Sequence, residues 1–164
     1  MGAATDLDRW HDFGVGVAGA SAALAGLLVV AVSINVQAIL TGRGLPERAA
    51  ATLVMLTTPL LASVVLLTPD LAPGLAGTAL LVIGAVAGAA LGWWHRVRPP
   101  QRSRLQWFLS PVLPSAATVV PTALAGLGLL VDGAGGLYWL LVAVLAAIVG
   151  GLSQAWVLLI EILR

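Results

Sequence analysis

The chain contains no cysteine and no lysine among its 164 residues, and only 9% of its residues are charged. Without cysteine it has no disulfides, Fe–S clusters or thiolate metal sites. Without lysine it has neither Schiff-base chemistry nor a lysine general base. The net charge of +1 gives no indication of nucleic-acid binding. These absences exclude several classes of enzyme and binding protein before any motif is considered.

Catalytic motifs are also missing. The two histidines, His11 and His95, are predicted on opposite membrane faces, so they cannot share a metal ion or a catalytic dyad. Ser21 has no histidine or lysine in its predicted membrane layer to activate it. No phosphate-binding loop, dinucleotide fingerprint or zinc-protease motif occurs. The sequence therefore predicts a protein that is not an enzyme, with no cofactor, no metal site and no nucleic-acid partner.

Apolar residues are what the chain has in abundance. They make up 60% of it, and the mean hydropathy is +1.03, whereas a soluble domain is about half apolar and a quarter charged. Segments of about 20 apolar residues are long enough to cross the roughly 30 Å hydrocarbon layer of a bilayer. The chain has five, at residues 13–40, 49–68, 74–94, 111–131 and 137–163. The predicted fold is a single all-α domain, residues 1–164, built as an integral membrane bundle of five transmembrane helices.

Arginine and aspartate residues concentrate in different loops. If the five segments alternate across the membrane, one face carries residues 41–48, residues 95–104 and the C-terminus, with seven arginines and two glutamates. The other face carries one arginine and five aspartates. Loops rich in arginine stay in the cytoplasm. The sequence therefore predicts a multi-pass protein of the plasma membrane, with its N-terminus outside and its C-terminus cytoplasmic.

One loop holds half of the arginines, namely Arg96, Arg98, Arg102 and Arg104. Setting the topology is a sufficient role for them. The alternative is that they bind anionic lipid headgroups, at about 1 kcal/mol for each arginine. Membrane lipids are thus one predicted partner.

Small residues recur along one face of three segments, and such faces allow transmembrane helices to approach closely. They are Gly19, Ala22, Gly26, Ser33 and Gln37 in the first segment, Gly77, Gly84 and Gly88 in the third, and Ala143, Ala147, Gly150 and Gln154 in the fifth. We expect these faces to pack inside the bundle. The alternative is that one of them forms a homodimer seam.

Polar residues concentrate in the predicted cytoplasmic half of the bundle. The candidate cluster comprises Ser33, Asn35, Gln37, Thr57, Thr58, Gln154 and Glu161. One interpretation is structural, with the amides of Asn35 and Gln154 satisfying backbone carbonyls that Pro59 and Pro121 free. The other is a cytoplasm-facing polar vestibule, lined by Asn35 and Gln154, that binds a small molecule or passes an ion. Glu161 is expected near the inner membrane boundary, beside an arginine.

Segments along most of the chain, strongest at its two ends, resemble a known family. They are residues 10–13, 17–20, 31–35, 45–48, 135–139 and 154–163. On these residues the chain resembles a family of small multi-pass membrane proteins from actinobacteria, some of whose members carry the name modulator of FtsH protease. The resemblance implies a shared fold and little else. A membrane protease complex, as in the name that some members carry, is one predicted partner. The resemblance supplies no catalytic residues, and it indicates Ser33, Asn35, Gln154 and Glu161 as the first residues to test.

Two functions follow as predictions. The first is an accessory, scaffold or protease-modulating subunit that acts through protein partners in the bilayer. The second is a small oligomeric channel, or a membrane protein that binds a small molecule in the polar vestibule. A membrane protein partner and a homo-oligomer are therefore both expected forms of assembly.

Overall fold

The computed structural model describes residues 9–42, 44–95, 111–131 and 136–162, and for His95, Glu161 and Ile162 it describes the backbone only. Within these ranges the chain forms six α-helices. They are α1 (His11–Ile34), α2 (Val36–Thr41), α3 (Leu45–Leu67), α4 (Pro73–His95), α5 (Leu113–Leu130) and α6 (Tyr138–Ile162). All of them except α2 are long and apolar enough to cross a membrane. The expectation of an all-helical membrane bundle with five long apolar helices is thus confirmed for the described residues.

Neighbouring long helices run antiparallel. At one end, Trp10 and Phe13 at the start of α1 pack with Leu66 of α3, Leu129 of α5 and Leu137 before α6. We call this the N-terminal end of the bundle. The ring of Trp10 also meets Tyr138 edge-on, with ring centroids 5.2 Å apart. The start of α1 therefore lies beside the start of α6.

The opposite end is where α1 finishes and α6 finishes, and we call it the C-terminal end of the bundle. There Ile39 of α2 packs with Leu45 of α3 and Leu158 of α6. Nearby, Ala51 and Met55 of α3 pack with Leu91 of α4. The end of α2, the start of α3 and the ends of α4 and α6 consequently all lie at this end.

Helix α3 is the centre of the bundle, and α1 is at its edge. Helix α3 packs against α1, α4 and α6, and 50% of the residues in its most apolar stretch are buried. For α1 the corresponding share is 22%. Helix α1 packs on α3 and only slightly on α6. Most of its surface is therefore left for lipid or for another protein.

The first predicted segment is interrupted at Asn35. The side-chain Nδ2 of Asn35 donates a hydrogen bond to the carbonyl of Ala31 at 2.9 Å. The backbone N–H of Asn35 donates to the same carbonyl at 3.3 Å. An asparagine that bonds the preceding turn in this way competes with regular helix hydrogen bonding. The chain therefore ends α1 at Ile34 and continues as the separate helix α2.

Residues 41–48, predicted as a loop, are largely helical. Gly44 has a left-handed backbone with φ 77°, which glycine adopts without steric cost. Helix α3 begins immediately after it, with Pro46 in its first turn, where proline is favoured because its missing N–H has no intrahelical partner there. Glu47 and Arg48 thus belong to α3, which starts four residues earlier than predicted.

Helices α4 and α5 approach each other closely through glycine. A Cβ atom added at Gly77 would lie 2.8 Å from the carbonyl oxygen of Gly126, and one added at Gly126 would lie 2.6 Å from the carbonyl oxygen of Gly77. Further along, a Cβ at Gly84 would meet Ala123 at 3.3 Å, and one at Gly88 would meet Val119 at 3.0 Å. The predicted internal packing of the third segment's small face is confirmed.

The small face of α6 is also internal, because Ala143, Ala147, Gly150 and Gln154 are all buried. The corresponding prediction for α1 is wrong. Gly19, Ala22, Gly26 and Ser33 are exposed, and a Cβ at Gly19 or Gly26 would have nothing within 4 Å. Helix α1 instead turns its other face inward, with Gly14, Val17, Ser21, Ala25 and Leu28 buried.

We expect Gly126→Ala to destabilise the bundle, because the added methyl group cannot fit against the backbone of Gly77 and Leu81. Overpacking of this kind costs about 1–3 kcal/mol. Gly92→Ala is the matched control on α4, since nothing lies within 4 Å of its Cβ position. Unfolding of the detergent-solubilised protein by SDS titration measures both variants. Equal stabilities for the two would contradict the close approach of α4 and α5.

Candidate functional site

The hydroxyl groups of the predicted cluster are bonded within their own helices. Ser33 donates to the carbonyl of Val29 at 2.7 Å, Thr57 to that of Leu53 at 2.9 Å, and Thr58 to that of Val54 at 2.7 Å. The same pattern, a bond to the carbonyl four residues earlier, is made by Thr52, Ser63, Ser115, Thr118, Thr122 and Ser153. Hydroxyls that are satisfied in this way need no partner on another helix.

The structure does not bring the predicted cluster together. Ser33 and Gln37 are exposed on α1 and α2, and Asn35 is half-buried between these helices. No hydrogen bond joins one cluster member to another among the described residues. The side chain of Glu161 lies outside the described part of the chain, as do the candidate lipid contacts Arg96, Arg98, Arg102 and Arg104.

The amides do not satisfy the carbonyls that the prolines free. Pro59 and Pro121 lie inside α3 and α5, so each removes the N–H that would bond the carbonyl four residues earlier. The amide of Asn35 bonds Ala31 of its own helix, and that of Gln154 bonds the sulfur of Met55. This part of the structural interpretation is therefore wrong, although both amides do have partners.

Gln154 takes part in a contact that joins three helices. Its side chain is 8% exposed, and its Nε2 donates to Sδ of Met55 at 3.4 Å. Oγ of Ser115 lies 3.8 Å from the same sulfur. Met55 itself is completely buried. Its thioether, a weak acceptor, thus connects α3 with α5 and α6.

Sequence reasoning identified Gln154 and missed Met55, because a methionine in an apolar segment is indistinguishable from ordinary core. The only local signal is Gly150. A Cβ at Gly150 would lie 2.8 Å from Cε of Met55 and 2.6 Å from Cβ of Pro114. The absence of a side chain at Gly150 leaves space for the side chain of Met55. The sequence alone does not show which helix supplies the side chain that fills this space.

A cleft of about 390 Å³ lies beside Gln154, between α5 and α6 and close to the start of α3. It is lined by Arg48 of α3, by Leu113, Pro114 and Ala117 of α5, and by Ala146, Val149, Gly150, Ser153, Gln154 and Val157 of α6. Gly150 and Gln154 are its buried members, whereas Leu113, Val149, Ser153 and Val157 are exposed. Arg48 is the charged residue of the lining. Asn35, predicted to share a vestibule with Gln154, is not part of it.

Ser21 is the exception among the buried hydroxyls. It lies on the inward face of α1 and is completely buried. Within the described residues its Oγ is the one buried side-chain oxygen or nitrogen without a hydrogen-bond partner. An unsatisfied buried hydroxyl costs about 1–3 kcal/mol. Its location at the packed face of α1 gives no access to a substrate.

The titratable residues form no metal-binding group in the described ranges. No three histidine, aspartate or glutamate side chains there come close enough to hold a metal ion. Nδ1 of His11 lies 3.6 Å from Oδ1 of Asp12, and both side chains are exposed. An exposed pair of this kind contributes little to stability.

Comparisons of the chain with protein-family models, with curated proteins and with solved structures give no match. The family resemblance described above therefore stays a prediction.

We expect Ser21→Ala to leave the protein as stable as it was or to stabilise it, by up to about 1 kcal/mol, because the change removes a buried hydroxyl without a partner. Ser63→Ala is the control, since Ser63 is equally buried but donates to the carbonyl of Pro59 at 2.8 Å. That variant should lose stability. Thermal unfolding in detergent compares the two. A larger loss in Ser21→Ala than in Ser63→Ala would show that Ser21 has a stabilising partner.

Proposed function

We propose that the protein is a non-enzymatic accessory subunit of the plasma membrane, which acts by binding the transmembrane helix of another membrane protein. The observation that carries the proposal is the outward face of α1. Gly16, Gly19 and Gly26 are exposed there, and a Cβ at any of them would have open space within 4 Å. Lipid gains nothing from a glycine, whereas a second helix can approach its backbone closely.

The spacing of this face supports the same proposal. Five of the exposed small residues of α1 follow one another at intervals of three, four, three and seven residues, namely Gly16, Gly19, Ala23, Gly26 and Ser33. Alternation of three and four keeps residues on one side of a helix that crosses another at a shallow angle. The partner class that we propose is a membrane protease complex, as in the name that some members of the similar family carry. The proposed role is then to hold or modulate that complex within the bilayer.

The alternative, a channel or a small-molecule vestibule, has less support. It requires Asn35 and Gln154 to line a common space. The amide of Asn35 is directed to Ala31 of its own helix, and the cleft beside Gln154 does not include Asn35. The partner-binding function is therefore the better supported of the two.

We expect Gly19→Leu to weaken association with the partner about tenfold, since a bulky side chain prevents close approach and such helix contacts contribute about 1–2 kcal/mol. Gly92→Leu is the matched control, because Gly92 is an exposed glycine of α4 with nothing within 4 Å of its Cβ position. The measurement is the yield of co-purifying protein, with the native mass of the complex, after gentle detergent extraction. A partner retained equally by both variants would contradict the proposal. A homodimer that Gly19→Leu converts to a monomer would assign this face to self-association instead.

The proposed orientation has the N-terminus outside and the C-terminus in the cytoplasm. Its support is the excess of arginine in the segments that leave from the C-terminal end of the bundle. Because the chain has no cysteine, single cysteines can report it. Thr68 and Thr41 are exposed threonines at the N-terminal and C-terminal ends of the bundle. We expect an impermeant maleimide to label Thr68→Cys on intact cells and Thr41→Cys only after lysis. The reverse pattern would invert the orientation.

A further inference from the structure

The side-chain amide of Gln154 has an oxygen without a hydrogen-bond partner. A thioether accepts hydrogen bonds and donates none, so the atom that faces Sδ of Met55 at 3.4 Å is the amide nitrogen Nε2. This contact sets the orientation of the amide group. The other amide atom, Oε1, accepts no hydrogen bond from the described residues. One acceptor of Gln154 is therefore left over.

This oxygen is not sealed inside the protein. Within the described residues, Oγ of Ser21 is the one buried side-chain oxygen or nitrogen without a hydrogen-bond partner. Oε1 of Gln154 has no partner either, so it keeps some accessible surface. Gln154 as a whole is only 8% exposed, and it lines the cleft between α5 and α6. The structure thus leaves this acceptor open to a molecule in the cleft.

The rest of the cleft is mostly apolar. Its apolar lining includes Leu113, Pro114 and Ala117 of α5 and Ala146, Val149 and Val157 of α6. Ser153 also lines it, but the hydroxyl hydrogen of Ser153 is donated to the carbonyl of Val149 at 2.7 Å. Arg48 already interacts within its own chain, and binding is not assigned to it. A volume of about 390 Å³ with apolar walls and few placed polar groups is typical of a small-molecule site.

The position of the acceptor does not depend on an occupant. Met55, which holds the amide, is completely buried. A Cβ at Gly150 would lie 2.8 Å from Cε of Met55, so α6 packs closely on this side chain. A binding group that is already held in place loses little conformational freedom when a ligand arrives.

We propose that the cleft binds a small, neutral, largely apolar molecule, which donates a hydrogen bond from a hydroxyl or N–H group to Oε1 of Gln154. An acceptor without a partner selects a donor, whereas a carboxylate offers only further acceptors to Oε1. The apolar walls select an apolar body. The site is formed by α3, α5 and α6, so it is separate from the outward face of α1 and does not depend on the proposed partner. It also differs from the vestibule predicted from the sequence, because Asn35 does not line it.

Photolabelling of the detergent-solubilised protein with benzophenones that differ in one substituent tests the proposal. The compounds are para-hydroxymethyl, para-methoxymethyl and para-carboxy benzophenone, and mass spectrometry measures the adduct and locates it. We expect a saturable adduct on the lining residues, at a half-saturating concentration about fivefold lower for the alcohol than for the ether, which is the effect of about one hydrogen bond. The carboxylate should saturate at no lower concentration than the ether. Equal saturation by alcohol and ether, tighter binding of the carboxylate, or adducts only outside the cleft would overturn the proposal.

Gln154→Leu should remove the advantage of the alcohol over the ether, because leucine has no acceptor. Ser153→Ala is the matched control, since Ser153 lines the same cleft and its hydroxyl is bonded within α6. That variant should keep the advantage. An advantage that persists in Gln154→Leu, or that both variants lose equally, would contradict the assignment of Oε1 as the acceptor.

A second pair of variants fills the cleft without changing Gln154, and it serves if Gln154→Leu does not fold. Ala117 lines the cleft and is half-buried, whereas Ala116 is exposed on the same helix and is not part of the lining. Ala117→Leu should abolish the saturable adduct of the alcohol, and Ala116→Leu should leave it unchanged. Saturable labelling that survives Ala117→Leu would show that the molecule binds elsewhere and would overturn the proposal.

Discussion

The structure depends on one constraint, namely that each backbone polar group of a long apolar helix must be satisfied inside the helix. Hydrocarbon offers no hydrogen bonds, and an unsatisfied group costs several kcal/mol there. The hydroxyl groups obey the same rule, since Thr57, Thr58 and Ser63 each bond a carbonyl of their own helix. The hydroxyl groups of these residues therefore need no hydrogen-bond partner on another helix. A polar side chain in this protein is therefore a functional candidate only where its partner lies on another helix.

Gln154 meets that criterion, and it does so through a methionine. The thioether of Met55 receives the amide of Gln154 from α6 and faces the hydroxyl of Ser115 from α5. Methionine is flexible enough to fill irregular space, and its sulfur is a weak acceptor. The contact is thus a modest stabilising interaction at the centre of the bundle. The contact also fixes the position of Gln154, which lines the cleft together with Arg48.

Some helix faces with small residues contact another helix of the chain, and others do not. Gly77 and Gly126 allow the backbones of α4 and α5 to come into contact. Gly16, Gly19 and Gly26 of α1 are exposed. Helix α1 is also the least buried of the long helices. Small residues at both places follow the same physical principle. The difference is that α4 and α5 make their contact within the chain, whereas a Cβ at Gly16, Gly19 or Gly26 of α1 would have nothing within 4 Å.

Composition and the order of apolar segments were enough to predict five long helices, because entry into a bilayer depends on average hydropathy over about 20 residues. The small faces of α4 and α6 were also predictable. Only the tertiary structure decided four other features. They are the inward face of α1, the break at Asn35, the helical position of Arg48 and the pairing of Gln154 with Met55. Lipid and helix interior are equally apolar, so hydropathy does not distinguish the two faces of a helix such as α1. The choice between them depends on how closely particular side chains and backbones fit across helices that are distant in sequence.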